Sequence, residues 1–172
     1  MTVSKIQVFL ALALFASGCA SNKVLNAAHD QGKAMRVELA DAYVRKGAYD
    51  AALPLLQRSV AEDPENVPLR TLYAAVLRER GLYPQAEREF LGVISVAPKH
   101  APAHSGLAVL YDLMRRPEQA QARYQSALAL VPRDASIWNN YGFSLYLARR
   151  DVEAIESLEK ALSLDPSMVQ AY

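Results

Sequence analysis

The chain has 172 residues, 52% of them hydrophobic and 22% charged, with 19 Lys and Arg against 18 Asp and Glu. That length suits one ordinary domain and excludes a large multidomain machine. The balanced charge excludes an electrostatic nucleic-acid binder, which needs clustered Lys and Arg, and the single cysteine excludes a disulfide framework or a multi-thiolate metal site.

Alanine (29) and leucine (23) dominate while Trp, Ile and Phe are scarce. This mixture favours helix over sheet, because β-branched and aromatic residues fit strands better.

At the start, Lys5 is the only charge in the first 22 residues and is followed by a largely apolar run of 11, Ile6–Ala16. The run is too short to cross a bilayer, which takes roughly 20 residues, but suits the apolar region of a signal peptide. It ends in Ala16-Ser17-Gly18-Cys19, which resembles a bacterial lipobox with Ala in place of the usual Leu three residues before the cysteine. The resemblance implies cleavage before Cys19, a diacylated thiol and an acylated new amino terminus. The other reading of the segment is an ordinary secretory signal with an incidental cysteine. Residues 1–18 are thus assigned to a lipoprotein signal peptide and 19–32 to the lipidated cysteine and a polar tether. The 13 residues Ala20–Gly32 span at most about 45 Å when extended. Ala20 follows the cysteine where Asp would mark inner-membrane retention, so the expected address is the periplasmic face of an outer membrane, held by lipid. Removal of Lys5 leaves the remainder formally neutral.

Beyond the tether the chain repeats. Pro64, Pro98, Pro132 and Pro166 lie 34 residues apart. On that spacing small residues align at Ala40, Ala74, Ala108 and Gly142, and again at Ala52, Ala86, Ala120 and Ala154. Large apolar residues align at Leu39, Tyr73, Leu107 and Tyr141, at Tyr43, Leu77, Tyr111 and Leu145, and at Leu56, Phe90, Tyr124 and Leu158. Small residues let two helices approach, and large ones four positions away fill the groove beside them. The period and columns are those of the tetratricopeptide repeat, although the Trp of that pattern stands only at Trp138, with Arg36, Arg70 and His104 in its place elsewhere. The reading is an all-α, right-handed α-solenoid of four tandem 34-residue repeats over residues 33–168, comprising eight helices plus the start of a ninth.

The predicted helices are 34–46, 50–62, 67–80, 84–96, 101–114, 118–130, 135–148 and 152–164. Gly47 and Gly81 end two first helices, with Arg115 and Arg149 standing where glycine is expected in the other two. Pro68, Pro84, Pro102 and Pro117 fall at helix starts, and Asp134 is the expected N-cap of the seventh helix. Pro54 falls in the second helix, expected in its first turn or at a slight kink. Residues 169–172 read as the start of a truncated further helix, so the outer face of helix 152–164 is left either by truncation or for a partner to cover.

Catalytic chemistry is not visible. His100 and His104 are four apart, but Pro102 lies between them and no third ligand accompanies them, so solvated or packed histidines are favoured over a metal site. Ser105 has no orienting acid, and no glycine-rich phosphate loop occurs. No enzyme activity, cofactor or metal is expected.

Binding surface is the alternative. With first helices lining the concave side, the inward positions are Val37, Glu38, Asp41 and Val44 in repeat one and Thr71, Leu72, Ala75 and Arg78 in repeat two. Repeat three offers Ser105, Gly106, Val109 and Asp112; repeat four offers Asn139, Asn140, Phe143 and Tyr146. The amide pair Asn139-Asn140 suits the clamping of an extended peptide backbone, the bland alternative being a bond to a neighbouring helix. Phe143 and Tyr146 read as pocket aromatics or as packing against Trp138 or helix ends. The groove lacks the Lys/Asn/Lys/Arg set with which some cytosolic tetratricopeptide domains grip C-terminal carboxylates.

The lipobox, short tether, tandem repeats and the run Trp138-Asn139-Asn140-Tyr141-Gly142-Phe143-Ser144-Leu145 together resemble the tetratricopeptide lipoproteins of Flp/Tad pilus assembly (TadD-like). They are also similar to the type IV pilotins (PilF/PilW-like), which usually have six repeats. The resemblance implies a lipid-tethered scaffold that binds a secretin or pilus subunit in its groove. A general outer-membrane adaptor docking peptidoglycan enzymes or membrane-assembly factors is the other class.

Overall fold

The structure, a computed structural model, describes the backbone of residues 27–171 and the side chains of residues 27–168. The signal-peptide assignment (1–18), Cys19 and the first part of the tether lie outside the described residues. Within them the chain forms eight α-helices and a terminal 3-10 helix. These are α1 (27–45), α2 (Tyr49–Glu62), α3 (Val67–Glu79), α4 (Tyr83–Val96), α5 (Ala101–Leu113), α6 (Pro117–Leu130), α7 (Ala135–Leu147) and α8 (Asp151–Leu164), then the 3-10 segment Pro166–Ala171. Helices α2 to α8 fall within a residue of the predicted bounds. Helix α1 does not: residues 27–32, assigned to the tether, are already helical. No proline stands between Asn26 and Ala48 to stop it. At the other end the expected ninth α-helix is instead a single 3-10 segment.

The helix ends repeat as faithfully as the columns. Each first helix closes on a residue in the left-handed region: Gly47 (φ 69°), Gly81 (φ 72°), Arg115 (φ 56°) and Arg149 (φ 61°). In all four the next amide reaches back along the helix, as in Ala48 N to Tyr43 O and Arg150 N to Leu145 O at 2.9 and 3.0 Å, which satisfies carbonyls the helix leaves open. The usual apolar contact across this motif becomes, in repeat three, the Arg116 guanidinium 6.0 Å above the Tyr111 ring. Each second helix closes on the residue before the repeating proline, which disfavours helix at that position: Asp63, Ala97, Val131 and Asp165 all leave the helical region. Two of the following first helices are capped by a side chain. Asp134 accepts from Ile137 N and Asn66 from Leu69 N, both at 3.1 Å. Pro54 sits beyond the first turn of α2, inside the helix. It is exposed, so the Asp50 carbonyl that its missing N–H leaves free can be satisfied by water.

The helices pair antiparallel and stack in chain order, each touching its sequence neighbours, with α3 also meeting α5 and α5 meeting α7. The small columns explain this closeness. Ala40, Ala74, Ala108, Ala52, Ala86 and Ala120 are fully buried. At Gly142 an added Cβ would come within 2.8 Å of the Leu158 side chain and 3.1 Å of the Ala154 carbonyl. Phe90, Tyr124, Leu56 and Leu107 fill the remaining core. The core is continuous: one cluster centred on α3 to α7 meets a smaller one on α1 to α3 through Leu53 and Tyr73.

Candidate functional site: a concave groove across three repeats

The first helices of repeats two, three and four lie side by side, and their inward positions enclose a cavity of about 380 Å³. Thr71, Leu72, Ala75 and Arg78 come from α3, Ser105, Gly106 and Val109 from α5, and Asn140 from α7. All eight were projected from the repeat register. Two further wall residues, Phe90 and Pro102, were not. Phe90 belongs to a core column and is fully buried; its ring lies beneath the groove wall against Gly106, where a Cβ would lie 2.6 Å from ring carbons Cε1 and Cζ.

The groove is mostly neutral. Its one charged wall residue, Arg78, pairs with Glu79 at 2.7 Å and donates Nη1 to the Gly106 carbonyl at 3.3 Å. The bond to Gly106 ties α3 to α5 across the groove floor. Asn140 is exposed, while Asn139 is half-buried, has its own interaction and does not line the cavity. The structure therefore divides the amide pair. Repeat one contributes nothing to this cavity: Asp41 pairs with Arg45 one turn along α1, and Val37 lines a smaller cavity of about 190 Å³ between α1 and the end of α2.

Past the groove, Phe143 and Tyr146 are 58% and 54% exposed, with ring centroids 6.5 Å apart. Trp138 packs against Tyr141 instead, at 6.4 Å, so the two exposed rings are not part of its packing. Asp112 lines a second cavity of about 490 Å³ with Leu113, Arg115, Pro117, Ser144 and Leu147.

The histidines have a structural setting. Trp138 donates its indole N–H to the Pro132 carbonyl at 2.9 Å. One repeat earlier, His104 Nε2 lies 2.9 Å from the Pro98 carbonyl, so the imidazole occupies the indole's role. In the same column Arg36 and Arg70 reach Glu62 and Glu89 at 2.8 and 3.0 Å. His104 is buried. Burial, with a smaller effect from His104, holds His100 below the usual imidazole range. His100 Nε2 and His104 Nδ1 are buried with no hydrogen-bond partner. Among the described residues no group of three or more His, Cys, Asp or Glu is arranged to hold a metal ion.

Two family models, both described as tetratricopeptide repeat, match residues 43–110 and 114–169. The chain belongs to the tetratricopeptide-repeat family. The solenoid is similar to TTC0263 of Thermus thermophilus, a thermophilic tetratricopeptide protein (TM-score 0.74, 23% identity, 78% of this chain and 75% of that one), a likeness of fold alone. It is also similar to MamA AMB-1 (TM-score 0.64, 29% identity, 77% and 78% of the two chains). Among curated proteins, the type IV pilus assembly protein PilF of Pseudomonas aeruginosa is 33% identical over 94% of this chain and 52% of its own length. A peroxisomal targeting signal receptor of Candida albicans is 26% identical over 83% of this chain and 26% of its own. The chain thus spans about half the length of the first of these relatives and a quarter of the second. Tetratricopeptide repeats mediate protein–protein interaction, and this solenoid is a scaffold of that kind.

Proposed function

We propose that this solenoid is a non-enzymatic, membrane-tethered scaffold for assembly of a pilus or secretion system of Flp/Tad or type IV kind, and that it takes a segment of a secretin or pilus subunit into its concave groove. The observation that carries the reading is the convergence of Thr71, Val109 and Asn140, from three successive repeats, on one open, nearly neutral cavity. An extended segment laid there meets apolar wall from Leu72 and Val109 and an amide at Asn140 that can both donate to and accept from its backbone. Similarity to PilF supports the assignment to pilus assembly. The lipobox-like run at Ala16–Cys19 supports the tether: two or more acyl chains hold far more firmly than the single chain that gives marginal, reversible binding.

Two experiments test the two halves. Asn140→Ala is expected to weaken capture of the secretin or pilus partner about tenfold while the helical circular-dichroism spectrum stays unchanged. Unchanged capture would remove the groove from the account. Cys19→Ser is expected to move the protein from the membrane to the soluble periplasmic fraction, and retention in the membrane would contradict the lipid tether. Recovery of peptidoglycan enzymes or membrane-assembly factors in place of pilus components would make the chain a general envelope adaptor.

A further inference from the structure

The larger cavity, between repeats three and four, has a chemistry the groove lacks. Its wall carries the Asp112 carboxylate, which accepts from Ser144 Oγ at 2.7 Å through Oδ1 and from the Tyr124 hydroxyl at 3.0 Å through Oδ2. Both partners are neutral. Asp112 takes part in none of the ion pairs among the described residues. Burial pushes its carboxyl above the usual carboxylate range, and the bonds from Ser144 and Tyr124 draw it back. Leu113, Leu147 and Pro117 supply apolar wall beside it, and the two leucines are 50% and 57% exposed. A carboxylate has about four lone-pair positions, of which the two hydroxyls use two. Acceptor capacity therefore remains at the carboxylate.

We propose that this cavity receives a lysine side chain from the partner segment, its methylenes against Leu113 and Leu147 and its ammonium at Asp112. This rests on the reading that the concave side binds a protein segment. Other occupants fit the chemistry less well. An apolar side chain would bury the carboxylate further while bringing no opposite charge of its own, and an acidic one would be repelled by it. Arginine is matched best by a carboxylate with both oxygens open to its planar fork, and here each oxygen already holds a hydroxyl. Lysine needs only a point contact and carries an apolar stem. Arg115 also lines the cavity, but it is exposed on the turn after α5, where solvent and salt screen its charge.

The test is a titration of the full chain with Nα-acetyl-lysine methylamide and, in parallel, its norleucine analogue, which keeps the stem and lacks the ammonium. The readout is the NMR signals of the Leu113 and Leu147 methyls and the Asp112 carboxyl carbon. The proposal expects saturable shifts with the lysine compound, about fivefold weaker binding of the norleucine compound, and loss of the difference in Asp112→Asn. Equal binding of the two compounds, or no saturable shift, overturns it. The comparison on the unsubstituted chain decides the matter even if Asp112→Asn folds poorly. If Asn140→Ala abolishes partner capture while the lysine titration stays silent, this proposal falls and the groove reading stands. If lysine binds and Asn140→Ala leaves capture intact, the groove reading falls instead.

Discussion

Arg115 and Arg149 hold a conformation that costs an ordinary L-residue roughly 1–2 kcal/mol and glycine almost nothing. The other two repeats place glycine there, so the register alone marked both arginines as departures; the φ angles show what each departure costs. Arg149→Gly is therefore expected to stabilise the chain by about 1 kcal/mol, read as a higher urea midpoint at unchanged slope. A lower midpoint would mean that the exposed Arg149 side chain contributes more than its backbone loses. Capping was half legible at this scale. Asp134 was visible as the residue before a helix, whereas Asn66, which makes the same bond two repeats earlier, was hidden among the polar residues of its turn. The environment of Asp112 was not legible at all. Its hydroxyl partners lie 12 and 32 residues away, and no periodicity announces which member of a groove column will lack a counter-charge.

Between elements, the decisive quantity is how closely two backbones approach, and the small columns made that readable in advance. Gly106 is the sharpest case. Replacing it with Ala gains about 1 kcal/mol of helix propensity. The added Cβ, however, would sit 2.6 Å from the Phe90 ring, which is fully buried, and overpacking of that kind costs about 1–3 kcal/mol. The overlap should win: Gly106→Ala is expected to lower stability by up to about 2 kcal/mol in chemical denaturation, despite the better helix former. A raised midpoint would show that the ring turns aside freely. The same contact explains why Phe90 was missed beneath the groove, since a column of core positions does not reveal that one buried ring packs directly under a groove glycine. The start of α1 was missed for a different reason. Residues 27–32 precede the first repeat and have no column to be compared with, so their composition alone made them look like linker.

Over the whole molecule, the 34-residue period determines nearly everything regular: helix bounds, the left-handed turns, the proline-ended second helices and the inward positions of three repeats. What it leaves undetermined is which inward positions form one cavity. The groove gathers repeats two to four and leaves Asp41 of repeat one paired with its own helix. Fold and scaffold role follow from the repeats; the choice of partner rests on chemistry at the groove, where Asn140 is the exposed amide. The most direct measurement is site-specific photo-cross-linking in the native host, with the cross-linker at position 140 and, as a control, at exposed position 118 on α6. The account predicts that position 140 yields a covalent adduct with a secretin or pilus subunit and that position 118 does not. An adduct from position 118 alone, or the same adduct from both, would contradict it.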